Sequence, residues 1–218
     1  MSEDEFREEM RRLRRFTLVA LILILIVWGF APTHAAGIPL AAEQHRAELV
    51  RNVHAVAGLD APVSLFAGQV HQESGWKANV RSPVGAEGLA QFMPATARWI
   101  SNLFPELSAN SPYNPSWALR ALVTYDVWLF DQIQAANACE RWAFSLSAYN
   151  GGLGWVNRDK SLASRQGRDS LTWFGSVDAV NAGRSTAAWK ENRAYPRTII
   201  YTRQPLYVDA GWGAGVCL

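Results

Sequence analysis

The chain is poor in charge: Asp, Glu, Lys and Arg make up 18% of its 218 residues, and the formal net charge is +2. Beyond the N-terminus the basic residues stand singly among acids, which excludes the clustered positive surface of a nucleic-acid-binding protein. Histidine and cysteine are also scarce, four and two residues, and the histidines are dispersed. No set of ligands with metal-binding spacing exists, so neither a metal nor another cofactor is expected. Internal repeats, low-complexity tracts and alternating strand patterns are missing, which excludes solenoids and argues against a sheet protein. What is present is apolar: 49% of residues are hydrophobic, enough to bury one good core.

The longest apolar run, Phe16 to Ala31, follows Arg11, Arg12, Arg14 and Arg15, and no further charge occurs until Glu43. This asymmetry places residues 1–15 in the cytoplasm and the remainder outside. The run is long for a signal-peptide core and slightly short of the ~20 residues of a membrane span. Thr33, His34, Ala35 and Ala36 offer small residues to a signal peptidase, whereas the Leu/Ile character favours an uncleaved anchor. Residues 16–36 are therefore read as a transmembrane anchor or signal peptide, with membrane contact through 16–31, and residues 37–218 as one folded domain. Export would put Cys139 and Cys217 where a disulfide persists, closing a loop worth roughly 4 kcal/mol; two unrelated thiols are the alternative.

Helical spacing dominates the folded part. Gly58 to Pro62 reads as a turn, with Asp60 as N-cap and Pro62 in the first turn of a helix that Gly75 stops after Ser74. Asn114-Pro115-Ser116 opens another helix, whose face carries Ala118, Ala121, Leu122, Tyr125, Trp128 and Leu129 to about Ile133. A further helix runs from about Cys139 to the glycines after Tyr149-Asn150. Residues 153–188 show no clear period and read as a long loop with short helical pieces. A last helix contains Trp189 to Tyr201, kinked by Pro196 or starting there.

The first of these helices carries the most informative side chain. Val63, Phe66, Ala67 and Val70 share a face, and the 3.6-residue period brings Glu73 onto it at the C-terminal end. A carboxyl at the end of an apolar stripe is partly desolvated, which raises its pKa and suits it to general-acid chemistry. The competing reading is a surface glutamate paired with a base such as Lys77. Directly afterwards Gly85, Gly88, Pro94 and the small Ala86, Ala90 and Ala95 describe a tight backbone path that delivers Ser82 and Gln91, both suited to hydrogen bonds with sugar hydroxyl and acetamido groups.

Three segments then fall into order: His71-Gln72-Glu73-Ser74-Gly75-Trp76, the run Ser82 to Ala97 (SPVGAEGLAQFMPATA), and Ala148-Tyr149-Asn150-Gly151-Gly152. Together they resemble the soluble lytic transglycosylase domain, across roughly residues 47–155, and Glu191 to Tyr195 resembles a later element of that family. Linked motifs in order are more specific than any one alone. The resemblance implies a mainly α, lysozyme-like domain with a glycan cleft, cutting the β-1,4 bond between N-acetylmuramic acid and N-acetylglucosamine in peptidoglycan. It makes Glu73 the single acid and base, and places Ser82, Gln91, Met93, Tyr149 and Asn150 at the sugar site and Glu191 and Tyr195 in the cleft. Ala90 stands where the family usually has Met, Ala194 and Pro196 depart from the last element, and residues 153–188 have no secure counterpart.

With one carboxylate in evidence, the implied reaction is intramolecular, ending in a 1,6-anhydromuramyl product. A hydrolytic muramidase and a non-catalytic wall-binding module are the alternatives. Glu87, among glycines, reads as solvated surface. Trp117, Trp128 and Trp142 read as core or near-core, while Trp76 and Trp155 flank the motifs and are the candidates for the cleft. His71 and Ser74 have no partners for a dyad or triad with Glu73. The expected location is the inner membrane facing the periplasm, or the periplasm itself if the N-terminal segment is cleaved. A chain of this size with an anchor fits local opening of the wall for a secretion, conjugation or phage machine.

Overall fold

A computed structural model describes residues 37–217, and the expectations for the N-terminal run lie outside them. Among the described residues no helix is long and apolar enough to cross a membrane. Among the described residues the architecture is helical, with two isolated bridges, Arg81 to Glu87 and Glu87 to Phe92, in place of strands.

Helix α1 (Leu40–Ala57) buries Ala42, Leu49 and Val53, a stripe of helical spacing, against helices α2 (Val63–Ser74) and α4 (Pro115–Gln132). The start of α2 differs from expectation. Pro62, with ψ of 80°, occupies the cap position, Val63 N–H bonds to Ala61 O, and no side chain caps the helix, so Asp60 lies in the preceding turn. Its end is as expected, at Gly75 in the left-handed conformation with φ of 59°. From Val63 to Val70 every residue of α2 is buried, polar Ser64 and Gln69 included, so this helix runs through the centre of the domain. Gly68 makes that placement feasible, because a Cβ there would lie 2.9 Å from the backbone nitrogen of Gln204.

Helix α3 (Pro94–Leu103) starts on its proline, and α4 is capped by Asn114, whose side chain accepts from Trp117 N–H at 3.2 Å. Asn137 likewise caps α5 (Ala138–Gly151), accepting from Glu140 N–H at 3.0 Å; the helix ends at Gly152, whose φ is 93°. The expected loop from residue 153 is instead helix α6 (Leu153–Arg165). Its buried stripe is Val156, Asp159 and Ala163, so a charged residue occupies a core position and breaks the apolar period. Asp159 is 0% exposed and is held by Arg184 and by Arg193 Nη2 at 2.8 Å.

Helix α7 (Thr186–Thr198) follows the Ser185 cap and starts ten residues before Pro196, which therefore lies inside it. The proline supplies no N–H to the preceding turn, and the helix then widens into a π-helical segment (Ile199–Arg203) before α8 (Gln204–Asp209). Cys139 and Cys217 are bonded, their Cα atoms 5.0 Å apart, tying the C-terminal tail to the start of α5. Trp76 does not reach the cleft. At 2% exposure it lies in the core, donating to the Tyr207 hydroxyl at 2.6 Å and packing edge-on against Trp212.

Candidate active site

Glu73 is the one acidic residue of α2, next to its last position, and it lines a cleft of about 480 Å³. The carboxyl itself is enclosed. Burial pushes its pKa up to about 8, a hydrogen bond from the Tyr195 hydroxyl pulls it down, and the charge of Glu191 adds to the rise. Among the described residues no ion pair joins it to Lys77. The carboxyl is consequently protonated near neutral pH, able to give a proton and then take one back.

Ser82, Gln91, Met93, Tyr149, Asn150 and Glu191 line the same cleft. The glycine-rich path of residues 82–92 folds as it does because Gly88, with φ of 72°, lets the chain pass within 1.9 Å, measured from an added Cβ, of Pro112 O. Ser82 Oγ accepts from Ala86 N–H at 2.9 Å, and Gln91, itself left-handed with φ of 50°, donates through Nε2 to Gly88 O at 2.8 Å. Glu87 is not solvated surface: it is half-buried, lies 3.9 Å from Arg81, and anchors both bridges of this loop.

The opposite wall comes from the end of α5. Tyr149 donates to Ala90 O at 2.7 Å, which joins that wall to the loop, and burial followed by the Glu73 charge holds its hydroxyl well above the usual range. Asn150 donates to Glu191 at 3.5 Å and accepts from Asn192 Nδ2 at 3.0 Å. Asn192 is buried and also accepts from Ser147 Oγ at 2.8 Å, so it fixes Asn150 from behind. Tyr195 departs from expectation. It is buried, does not line the cleft, and meets Glu73 from the protein side.

Tyr125, Thr96, Phe92 and Val84 also line the cleft, beyond the residues that the sequence motifs assign to it. Tyr125 sits on the core face of α4, where its period reads as packing; its phenol was the one available signal. Asp126, next to it, is fully buried beside Gln69, and burial drives its carboxyl well above the usual range. Gln69 favours its ionised form, yet among the described residues neither side chain makes a hydrogen bond of good geometry. Trp155 lies outside the cleft, in an adjoining recess that shares Asn150, Gly151 and Glu191. Among the described residues no group of three His, Cys, Asp or Glu could hold a metal ion.

Residues 58–172 match the transglycosylase SLT domain. The chain belongs to this family. Its SLT relatives include the soluble lytic murein transglycosylase of Escherichia coli K12, 30% identical over 158 residues that span 71% of this chain and 21% of the relative. Membrane-bound lytic murein transglycosylase F of Pasteurella multocida is 30% identical over 111 residues, 50% of this chain and 21% of that protein. The chain thus spans about a fifth of the length of these curated relatives. Among solved structures, the 70 kDa soluble lytic transglycosylase of Escherichia coli superposes with a TM-score of 0.56 at 23% identity, over 77% of this chain and 24% of the other. The lytic transglycosylase Slt of Pseudomonas aeruginosa, in an inactive mutant form, gives 0.56 at 23% identity, over 78% and 25%. These likenesses show the helical, lysozyme-like fold expected of an SLT domain.

Proposed function

We propose that the protein is a peptidoglycan lytic transglycosylase, cleaving the β-1,4 bond between N-acetylmuramic acid and N-acetylglucosamine. The observation that carries this reading is a carboxyl, Glu73, protonated by burial at the wall of an open cleft and bonded to Tyr195. Its relatives named as lytic murein transglycosylases support the same assignment.

In this account Ser82, Gln91, Met93, Tyr149, Asn150 and Glu191 hold the sugars on either side of the scissile bond. Glu73 gives its proton to the glycosidic oxygen, the bond to C1 of the muramyl residue breaks, and N-acetylglucosamine leaves with a free 4-hydroxyl. The muramyl acetamido oxygen supports the cationic C1. Glu73, now a carboxylate, removes the proton of the C6 hydroxyl as its oxygen bonds to C1, which restores the acid and leaves a 1,6-anhydromuramyl end. No water is consumed.

Glu191 gives a second reading some ground, because it is a second carboxylate lining the cleft and would serve as base in a hydrolytic muramidase. It is exposed and lies against Asn150, which fits sugar binding better than activation of water. Digestion of purified peptidoglycan separates the readings: anhydromuramyl fragments that disappear with Glu73→Gln support the transglycosylase, reducing ends support the muramidase, and no release makes the domain a binding module. Attachment to the inner membrane through residues 16–31, periplasmic action, and wall opening beside a secretion, conjugation or phage machine form the part of this proposal that rests on the N-terminal sequence.

A further inference from the structure

Trp99 stands on α3 one turn beyond Thr96, a cleft residue, and Leu103 follows four positions later on the same face. Trp99 is 42% exposed and Leu103 45%. The Trp99 ring is nevertheless fixed. It meets Trp128 at 5.1 Å and Tyr125 at 5.9 Å, both edge to face, while Tyr125 and Trp128 stack on one another at 6.0 Å. Tyr125 in turn lines the cleft and contacts Tyr149 at 5.4 Å. Aromatic rings therefore run without a gap from the cleft wall beside Asn150 out to the surface at Trp99. Among the described residues no other ring lies parallel on Trp99.

The geometry points to Trp99 as an outer sugar subsite, a stacking platform for an N-acetylhexosamine ring of the glycan strand beyond those held in the cleft. This rests on the glycan-cleaving reading above. A pyranose keeps its hydroxyls near the ring equator and presents C–H groups on its faces, and those groups are attracted to the negative face of an aromatic ring. A ring already braced by two neighbours gives up little conformational freedom when a sugar settles on it, so little of the contact is lost to ordering. Continuity with the cleft selects the occupant: the strand leaving past Thr96 meets Trp99 next, whereas a protein partner would need a broader apolar patch than one tryptophan and one leucine supply.

The test uses the full chain carrying Glu73→Gln, so that strands stay intact, and measures affinity for peptide-free GlcNAc-MurNAc strands, a tetrasaccharide and an octasaccharide. The octasaccharide is expected to bind more tightly, and adding Trp99→Ala to weaken it by about three- to tenfold while leaving the tetrasaccharide unchanged. Trp99→Tyr, which keeps a ring, retains most of the octasaccharide affinity. Should Trp99→Ala lower the melting temperature, Trp99→Gln serves for the same comparison. An octasaccharide affinity that does not change, or falls equally with that of the tetrasaccharide, overturns the platform. Binding of neither strand by the Glu73→Gln protein overturns the glycan reading itself.

Discussion

The Tyr195 hydroxyl, from α7, donates a hydrogen bond to Glu73 Oε1 at the end of α2, 122 residues earlier in the chain. The bond opposes the burial that raises the Glu73 pKa, so the proton affinity of the acid is set by a balance between enclosure, this hydroxyl and the charge of Glu191. The hydroxyl and the Glu191 charge can each be removed singly, and these two act in opposite directions.

Activity is expected to fall above pH about 8, where Glu73 loses its proton. Tyr195→Phe removes a bond to the ionised form and moves that alkaline limb of kcat/KM to higher pH. Glu191→Gln removes a like charge and moves it to lower pH, whatever either change does to the maximal rate. Profiles of the two variants that shift in the same direction would contradict the balance.

The same enclosure costs stability. Because Glu73 has a folded pKa of about 8 against 4.5 in an unfolded chain, the folded state holds a proton that the unfolded state releases. The stabilising effect is complete below about pH 4.5 and is lost as pH rises towards 8. At pH 7 the ionisable carboxyl costs roughly 3 kcal/mol relative to a neutral side chain. Glu73→Gln is expected to melt several degrees higher at pH 7 to 8 and little differently at pH 4, as read by thermal denaturation across pH.

In the cleft loop two glycines that both have positive φ should behave differently. Gly88→Ala drives a methyl group into Pro112 O and forces a left-handed alanine, and should cost about 3 kcal/mol or more with loss of activity. Gly85, with φ of 93°, has only the mobile end of Arg81 near its Cβ position, so Gly85→Ala should cost about 1–2 kcal/mol. Denaturant melts of the pair test the difference.

Asp159 neutralises the buried Arg184 and the part-buried Arg193, and its Oδ1 also accepts from Ala182 N–H at 2.9 Å. Asp159→Asn leaves a buried positive excess and should destabilise by about 3–5 kcal/mol. Because Arg193 is one residue from Asn192, which steadies Asn150, sugar affinity of the folded fraction should fall as well. Chemical denaturation with a parallel binding measurement checks both.

That cluster also marks where the sequence became hard to read. Asp159 takes a core position in α6, so the stripe of Val156 and Ala163 is interrupted and the helix looks like loop. Local chemistry that acts over a few residues was legible: Gly75 and Gly152 as stops, and Asn114 as a cap. Asp60 was a reasonable cap by type, but Ala61 and Pro62 intervene before the first helical turn, and Pro62 takes the cap position. Within the cleft, Glu73, Ser82, Gln91, Met93 and Asn150 sit in short motifs and were visible. Tyr125, Asn192 and the inward role of Tyr195 depend on how α4 and α7 meet α2 and α5 from distant parts of the chain, and no local pattern encodes that meeting. Trp76 misled for the same reason: its neighbours Tyr207 and Trp212 lie more than a hundred residues away.

In the proposed reaction Glu73 acts alone, as acid and then as base, with the muramyl C6 hydroxyl as nucleophile. Digesting purified peptidoglycan in water enriched in oxygen-18, and analysing the new muramyl ends by mass spectrometry, tests it most directly. Anhydromuramyl ends without the heavy oxygen are expected, and none from the Glu73→Gln protein; ends carrying one oxygen-18 at C1 would show that water attacks and would overturn this mechanism.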